Sequence, residues 1–172
     1  MAALALEFLI LTAARSGEVL GARWAEIDLA AKVWTVPAAR MKAAREHRVP
    51  LSDRALAILE RLSSARTGEF VFPGQRPGKP LSIMVEMVVR RMKAEGVTVH
   101  GFHSAFRDWS GEETNFPREI AEAALAHATG DATERAYRRG DALEKRRVMM
   151  EAWAEYLEAR FRIVTPILPA AI

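Results

Sequence analysis

The 172-residue chain suits one domain with a sizeable buried core. Half its residues are hydrophobic and 27% are charged, which excludes a disordered tail and a membrane bundle, and the lack of cysteine excludes disulfide frameworks and cysteine-ligated metal sites. A net charge of +3 permits a nucleic-acid partner without demanding one, but the basic residues cluster, six against three acids in 134–147 and four against one in 40–48.

The opening MAALALEFLILTAAR has no basic residue before its apolar run and is interrupted by Glu7, unlike a secretory signal, and it is too short to span a bilayer. Leu4, Phe8 and Leu11 fall at i, i+4 and i+7, so an amphipathic helix is expected to run to about Ala14. A helix that starts at residue 2 with no cap before it suggests a fragment of a longer chain. Ser16 reads as the N-cap of a short helix carrying Glu18, Val19 and Leu20. Residues 32–36 (KVWTV) are β-branched and aromatic and stop at Pro37, which predicts a strand. Residues 46–51 return as its partner and leave a basic turn containing Lys42.

Ser52 then opens a helix with Ala55, Ile58, Leu59 and Leu62 on one face. Phe70, Val71 and Phe72 predict a short strand closed by Pro73, and residues 73–80, with three prolines and two glycines, a loop. From Leu81 the pattern is helical: Leu81/Val85/Val88/Met92, Phe102/Phe106/Trp109, Ile120/Ala124 and Met150/Trp153/Leu157. Asp131 and Glu134 have capping-box spacing, which starts a helix just before Tyr137. Residues 159–172 hold apolar side chains and two prolines without period. The expected fold class is α+β, mostly α-helical, with helices packed on a small antiparallel sheet. The expected domain spans 1–158, with a C-terminal tail at 159–172.

Taken singly, the polar candidates have ordinary explanations. Arg15 beside a helix cap and Lys42 in a basic turn are usually solvated. The four histidines, His47, His100, His103 and His127, would singly be hydrogen-bonded structural residues. Tyr137 among Arg135, Arg138 and Arg139 would be an amphipathic anchor.

Their order along the chain changes that. Arg15 in AARSGEVLGARWAEID, Lys42 in a hairpin turn, HGFH at 100–103, LAH ending at His127 and AYRRGD around Tyr137 resemble the catalytic domain of the tyrosine recombinases, or phage integrases. The stretch FRDWSGEETNFPREIAEAALAH is similar to integrases of prophages and genomic islands. The resemblance implies that the Tyr137 hydroxyl attacks a DNA phosphodiester, giving a 3′-phosphotyrosyl link and a free 5′-hydroxyl. That link stores the bond energy, so neither ATP, a metal nor another cofactor is implied. It further implies Arg15 as a phosphate clamp, Lys42 as general acid, His100 as an aid to proton transfer and His127 as a donor to a phosphate oxygen. Such roles fit a phenol that must lose a proton, a leaving oxygen that must gain one, and an anionic transition state that needs fixed donors. Glu18, three residues after Arg15, is close enough to orient it.

One position departs from the family. Its pattern is His-x-x-Arg, and here His103 stands where the second clamp arginine is expected. Arg107, one turn on, is a conceivable substitute, although similar members carry an arginine there besides the clamp. Histidine offers one donor, charged only when protonated, against the planar fork of arginine. A catalytically impaired DNA-binding remnant is therefore the rival reading. A zinc hydrolase using His100, His103 and His127 is another, and relaxation of supercoils by the same cleavage chemistry is a third. The resemblance also implies double-stranded DNA as partner, further DNA-binding domains and a tetramer of the full-length protein. Residues 161–172 are the candidate exchanged segment, and the location implied is the bacterial cytoplasm, on the nucleoid.

Overall fold

A computed structural model of the protein describes residues 1–82, 84–93, 96–127 and 141–164. Its elements in order are α1 (Ala2–Thr12), α2 (Ser16–Leu20), β1 (Ile27–Asp28), β2 (Val33–Val36), β3 (His47–Pro50), α3 (Asp53–Ser63), α4 (Met84–Arg91), α5 (Gly101–Glu112), α6 (Arg118–Ala124) and α7 (Leu143–Val164). The strands form one antiparallel sheet in the order β1-β2-β3, with Ile27 opposite Trp34, and Trp34 opposite Val49. The fold is helix-rich α+β, as the sequence predicts.

Two apolar clusters make up the core. In the first, α1 lays Phe8 (0% exposed) against Trp34 and Phe72, each with ring centres 5.5 Å away, over the sheet and the buried face of α3. Ser52 caps α3 by accepting from the Ala55 amide at 3.4 Å, and Ala55, Ile58, Leu59 and Leu62 are buried. In the second, Phe106 and Trp109 of α5, Ile120 of α6 and Met149, Met150 and Trp153 of α7 pack together. The Trp153 indole donates to the Ile10 carbonyl at 2.8 Å, so α1 joins both clusters. Between them, α1 ends at Ala13, whose backbone is left-handed (φ 48), and the chain turns into Ala14 and Arg15.

The structure corrects several sequence expectations. The N-cap of α2 is Arg15, not Ser16, because the Glu18 carboxylate reaches back to accept from the Arg15 amide at 3.0 Å. Phe70 to Phe72 make no strand. Their amides and carbonyls serve single bridges to residues 22–24, with Val71 N–H on Ala22 and Trp24 N–H on Glu69, and Pro73 has no N–H to extend a ladder. The two-residue strand β1 is too short to show a period. In α4 Val89 is buried and Met92, just past the helix end at Arg91, is 66% exposed. Finally, α7 runs unbroken to Val164, into the stretch where the sequence shows no helical period.

Candidate active site

Arg15 leaves the seam between the clusters with its guanidinium 28% exposed, and its Nη1 lies 3.0 Å from Glu18 Oε1. Glu18 is 5% exposed, so its carboxylate fixes both the backbone and the side chain of Arg15. Behind it, Arg40 donates to the Glu18 carbonyl at 3.0 Å and to Glu26 at 2.7 Å. A Cβ on Gly21 would stand 2.5 Å from Arg40 Nη1, so a larger residue there would require that guanidinium to shift.

The expected histidines lie together near Arg15. His100 is the N-cap of α5, and its ring is stacked on His103 at 5.9 Å; the His127 ring lies 6.3 Å from His103. His103 is 7% exposed, and its Nε2 is buried with no hydrogen-bond partner. Burial, then the charge of Arg15, and then the two neighbouring histidines hold its pKa down at about 4, against the Ala14 carbonyl, which favours the charged form. The free protein therefore carries a neutral ring there at pH 7. Arg107, the conceivable substitute one turn on, does not lie on the buried face with His103. His103 turns inward with Phe106 and Ser110, and Arg107 is exposed.

His127 is placed by the end of α6. Ala126 is left-handed (φ 53), its amide bonds the Ala123 carbonyl at 3.3 Å, and the His127 amide bonds the Glu122 carbonyl at 2.9 Å. These are the two bonds of a Schellman motif, with alanine where glycine is usual, at about 1 kcal/mol of backbone strain. The motif folds His127 back over the helix, where its Nδ1 meets Glu122 Oε2 at 2.7 Å.

Lys42 lies in the turn between β2 and β3 and is exposed, where the sequence puts it. Tyr137 and the capping box at Asp131 and Glu134 lie outside the described residues. Among the described residues, no three His, Cys, Asp or Glu side chains are grouped to hold a metal ion.

Three features escaped sequence reasoning. His47, on β3, donates from Nε2 to the Ala124 carbonyl at 3.2 Å; burial and then Arg146 push its pKa down to about 4. Glu122 holds His127, and the sequence signal was an acid five residues before it. Asp141 forms a bidentate pair with Arg48 (2.8 and 2.7 Å) and an ion pair with the buried Arg146 (2.9 Å).

This is an α+β domain that brings an arginine and three histidines close together. A sequence profile of the phage integrase family matches residues 1–144, and the chain belongs to that family. It is 46% identical to the prophage integrase IntA of Escherichia coli K12, over 87% of this chain and 37% of that protein. It is 34% identical to the integrase of Shigella phage Sf6, over 92% and 42% respectively. The chain thus spans about two fifths of the length of these curated relatives. A solved Tn1549 transposon integrase bound to a circular-intermediate DNA aligns with a TM-score of 0.49 at 14% identity, covering 80% of this chain and 57% of that one. No described helix is long and apolar enough to cross a membrane.

Proposed function

We propose that this chain is the catalytic part of a tyrosine-type site-specific recombinase, cutting and rejoining double-stranded DNA during integration or excision of a mobile element. The observation that carries the reading is the buried, unpartnered Nε2 of His103, near Arg15 and two further histidines: a protonatable nitrogen that becomes a donor once an anion arrives to draw a proton onto it. A phosphodiester fits. Arg15, braced by Glu18, would clamp one non-bridging oxygen, and His127 and His103 would donate to the phosphate. The Tyr137 oxygen would form a bond to phosphorus as it gives up its proton with the help of His100. The bond to the 5′-oxygen would break as Lys42 supplies a proton to it, leaving a 3′-phosphotyrosyl link. The reverse sequence rejoins the strand, so the step balances without a cofactor. The implied setting is a tetramer of the full-length protein on two DNA sites, in the cytoplasm.

A second reading, an impaired DNA-binding remnant, is favoured by the same His103, which is neutral in the free protein where the family pattern places a permanent charge. Nicked suicide DNA separates the two. An active enzyme accumulates a covalent adduct that Tyr137→Phe abolishes; a remnant binds DNA and gives none. An adduct that survives Tyr137→Phe removes the assignment of the nucleophile.

A further inference from the structure

The pair at the end of α6 has a geometry that the family roles do not explain. Glu122 is 8% exposed, on a helix whose other buried residues, Ile120, Ala121 and Ala124, are apolar. A carboxylate so enclosed is costly unless its oxygens are engaged. One oxygen, Oε2, takes the His127 Nδ1 at 2.7 Å. Among the described residues the other, Oε1, has the guanidinium of Arg118 at 3.7 Å, and that side chain is 90% exposed. The backbone reinforces the same contact: the left-handed Ala126 and the His127 amide on the Glu122 carbonyl bring residue 127 back over residue 122. Burial, strain and hydrogen bonding at this helix end all serve the orientation of one ring.

We infer that Glu122 is a positioning residue, whose carboxylate fixes the proton of His127 on Nδ1 and thereby presents Nε2 to the reacting phosphate. An ionised carboxylate only accepts, so the nitrogen it touches must carry the hydrogen. The ring then has one free nitrogen, Nε2, and it cannot flip without losing the 2.7 Å contact. The neutral ring offers Nε2 as an acceptor and the charged ring offers it as a donor, always in one direction. Without Glu122 the ring could place its proton on either nitrogen and turn about its side-chain bonds. The role in cleavage rests on the recombinase reading above; the tautomer does not.

The test is a double-mutant cycle in this chain, with ¹⁵N spectroscopy of the histidine rings. In the parent, His127 should report hydrogen on Nδ1. Glu122→Ala should release that tautomer, and Glu122→Gln, which keeps an accepting oxygen, should retain it. Single-turnover cleavage of suicide DNA should fall about tenfold to a hundredfold in Glu122→Ala, less than the 10²–10³ that losing a donor outright costs. In Glu122→Gln most of that loss should be recovered. With His127→Ala already present, Glu122→Ala should add less than about twofold, because a residue acting through His127 has nothing left to act on. An equal loss in both backgrounds would show that Glu122 only supports the fold and would overturn the inference. So would an unchanged tautomer in Glu122→Ala, or no gain from glutamine. Should Glu122→Ala fail to fold, the glutamine variant and the parent spectrum decide: an Nε2-bound proton in the parent overturns it. A parent that forms no adduct at all breaks the recombinase reading instead, and the tautomer comparison still stands or falls alone.

Discussion

Arg146 and His103 are both basic side chains shut away from solvent, 1% and 7% exposed, and they are supplied with partners in opposite ways. Arg146 donates to the Asp141 carbonyl at 2.8 Å and to the Arg48 carbonyl at 2.6 Å, and it is ion-paired with Asp141 at 2.9 Å. Its charge is matched within the fold, and it ties the start of α7 to β3. His103 has a bare Nε2, and the carboxylates of its neighbours are committed elsewhere, Glu18 to Arg15 and Glu122 to His127. A buried base with an internal acid holds a structure together. A buried base without one is a candidate place for an external anion, which on the recombinase reading proposed above would be a phosphate.

Replacing His103 by arginine tests that contrast most strongly. His103→Arg should raise single-turnover cleavage by up to about 10²–10³, the scale of one electrostatic donor at a developing charge. It should also lower the stability of the DNA-free protein, because a permanent charge would then sit beside Arg15, and the neighbouring described carboxylates, Glu18 and Glu122, are already engaged. The pH dependence sharpens the point. Native His103, with its pKa held near 4, stays neutral where the unfolded chain, near 6.5, takes up a proton. The stability this contributes is present above pH 6.5 and is lost as pH falls from there toward about 4, and His47 acts in the same sense. Cleavage should run the other way in the parent, rising as pH falls toward about 6 while DNA phosphate draws a proton onto the ring. His103→Arg should flatten that rise. Identical cleavage profiles for the two proteins, followed by adduct formation across pH, would place this residue off the reacting phosphate.

The opposite member of the pair should fail by stability alone. Arg146→Met removes the guanidinium and leaves the Arg48 and Asp141 carbonyls without their donor, while Asp141 keeps its bidentate Arg48. A loss of about 3 kcal/mol is expected, at the low end for breaking a buried ion pair because one cation remains. Urea unfolding measures it. A loss below about 1 kcal/mol, the worth of an ordinary hydrogen bond, would mean that this node does not join α7 to the sheet.

The same contrast explains how much of this molecule was legible in the sequence. Positions defined by a local pattern were readable: the Ser52 cap, the apolar faces of α3 and α5, and the turn holding Lys42. The gathering of Arg15 with the histidines followed from family resemblance, not from spacing. Features that depend on a partner distant in sequence were not readable. Arg146 looked like one more cation in a basic run until its contacts to residues 48 and 141 buried it, and His47 gained its place only through Ala124 on α6. The depth of His103 was not readable because helical period gives the angle around α5 and says nothing of how closely Ala14 and Arg15 approach that side. Residues 70–72 looked like a strand because composition shows propensity but not whether a neighbouring strand has room to pair.

The smallest expected effect concerns the backbone that carries His127. Ala126 occupies φ 53, a region alanine enters at a cost and glycine does not. Ala126→Gly removes that strain but also frees the unfolded chain, and the two terms oppose each other. At a Schellman position the relief of strain outweighs the added entropy, so a net gain of up to about 1 kcal/mol in urea unfolding is expected. Cleavage should hardly change, because the two backbone bonds, His127 to Glu122 and Ala126 to Ala123, survive the substitution, as does the carboxylate contact on Nδ1. A drop of tenfold or more in cleavage with stability raised would assign the orientation of His127 to the stiffness of alanine at this turn. It would also narrow the contrast between the two regions, since the histidine cluster would then depend on built-in backbone constraint as much as the arginine node depends on its acid.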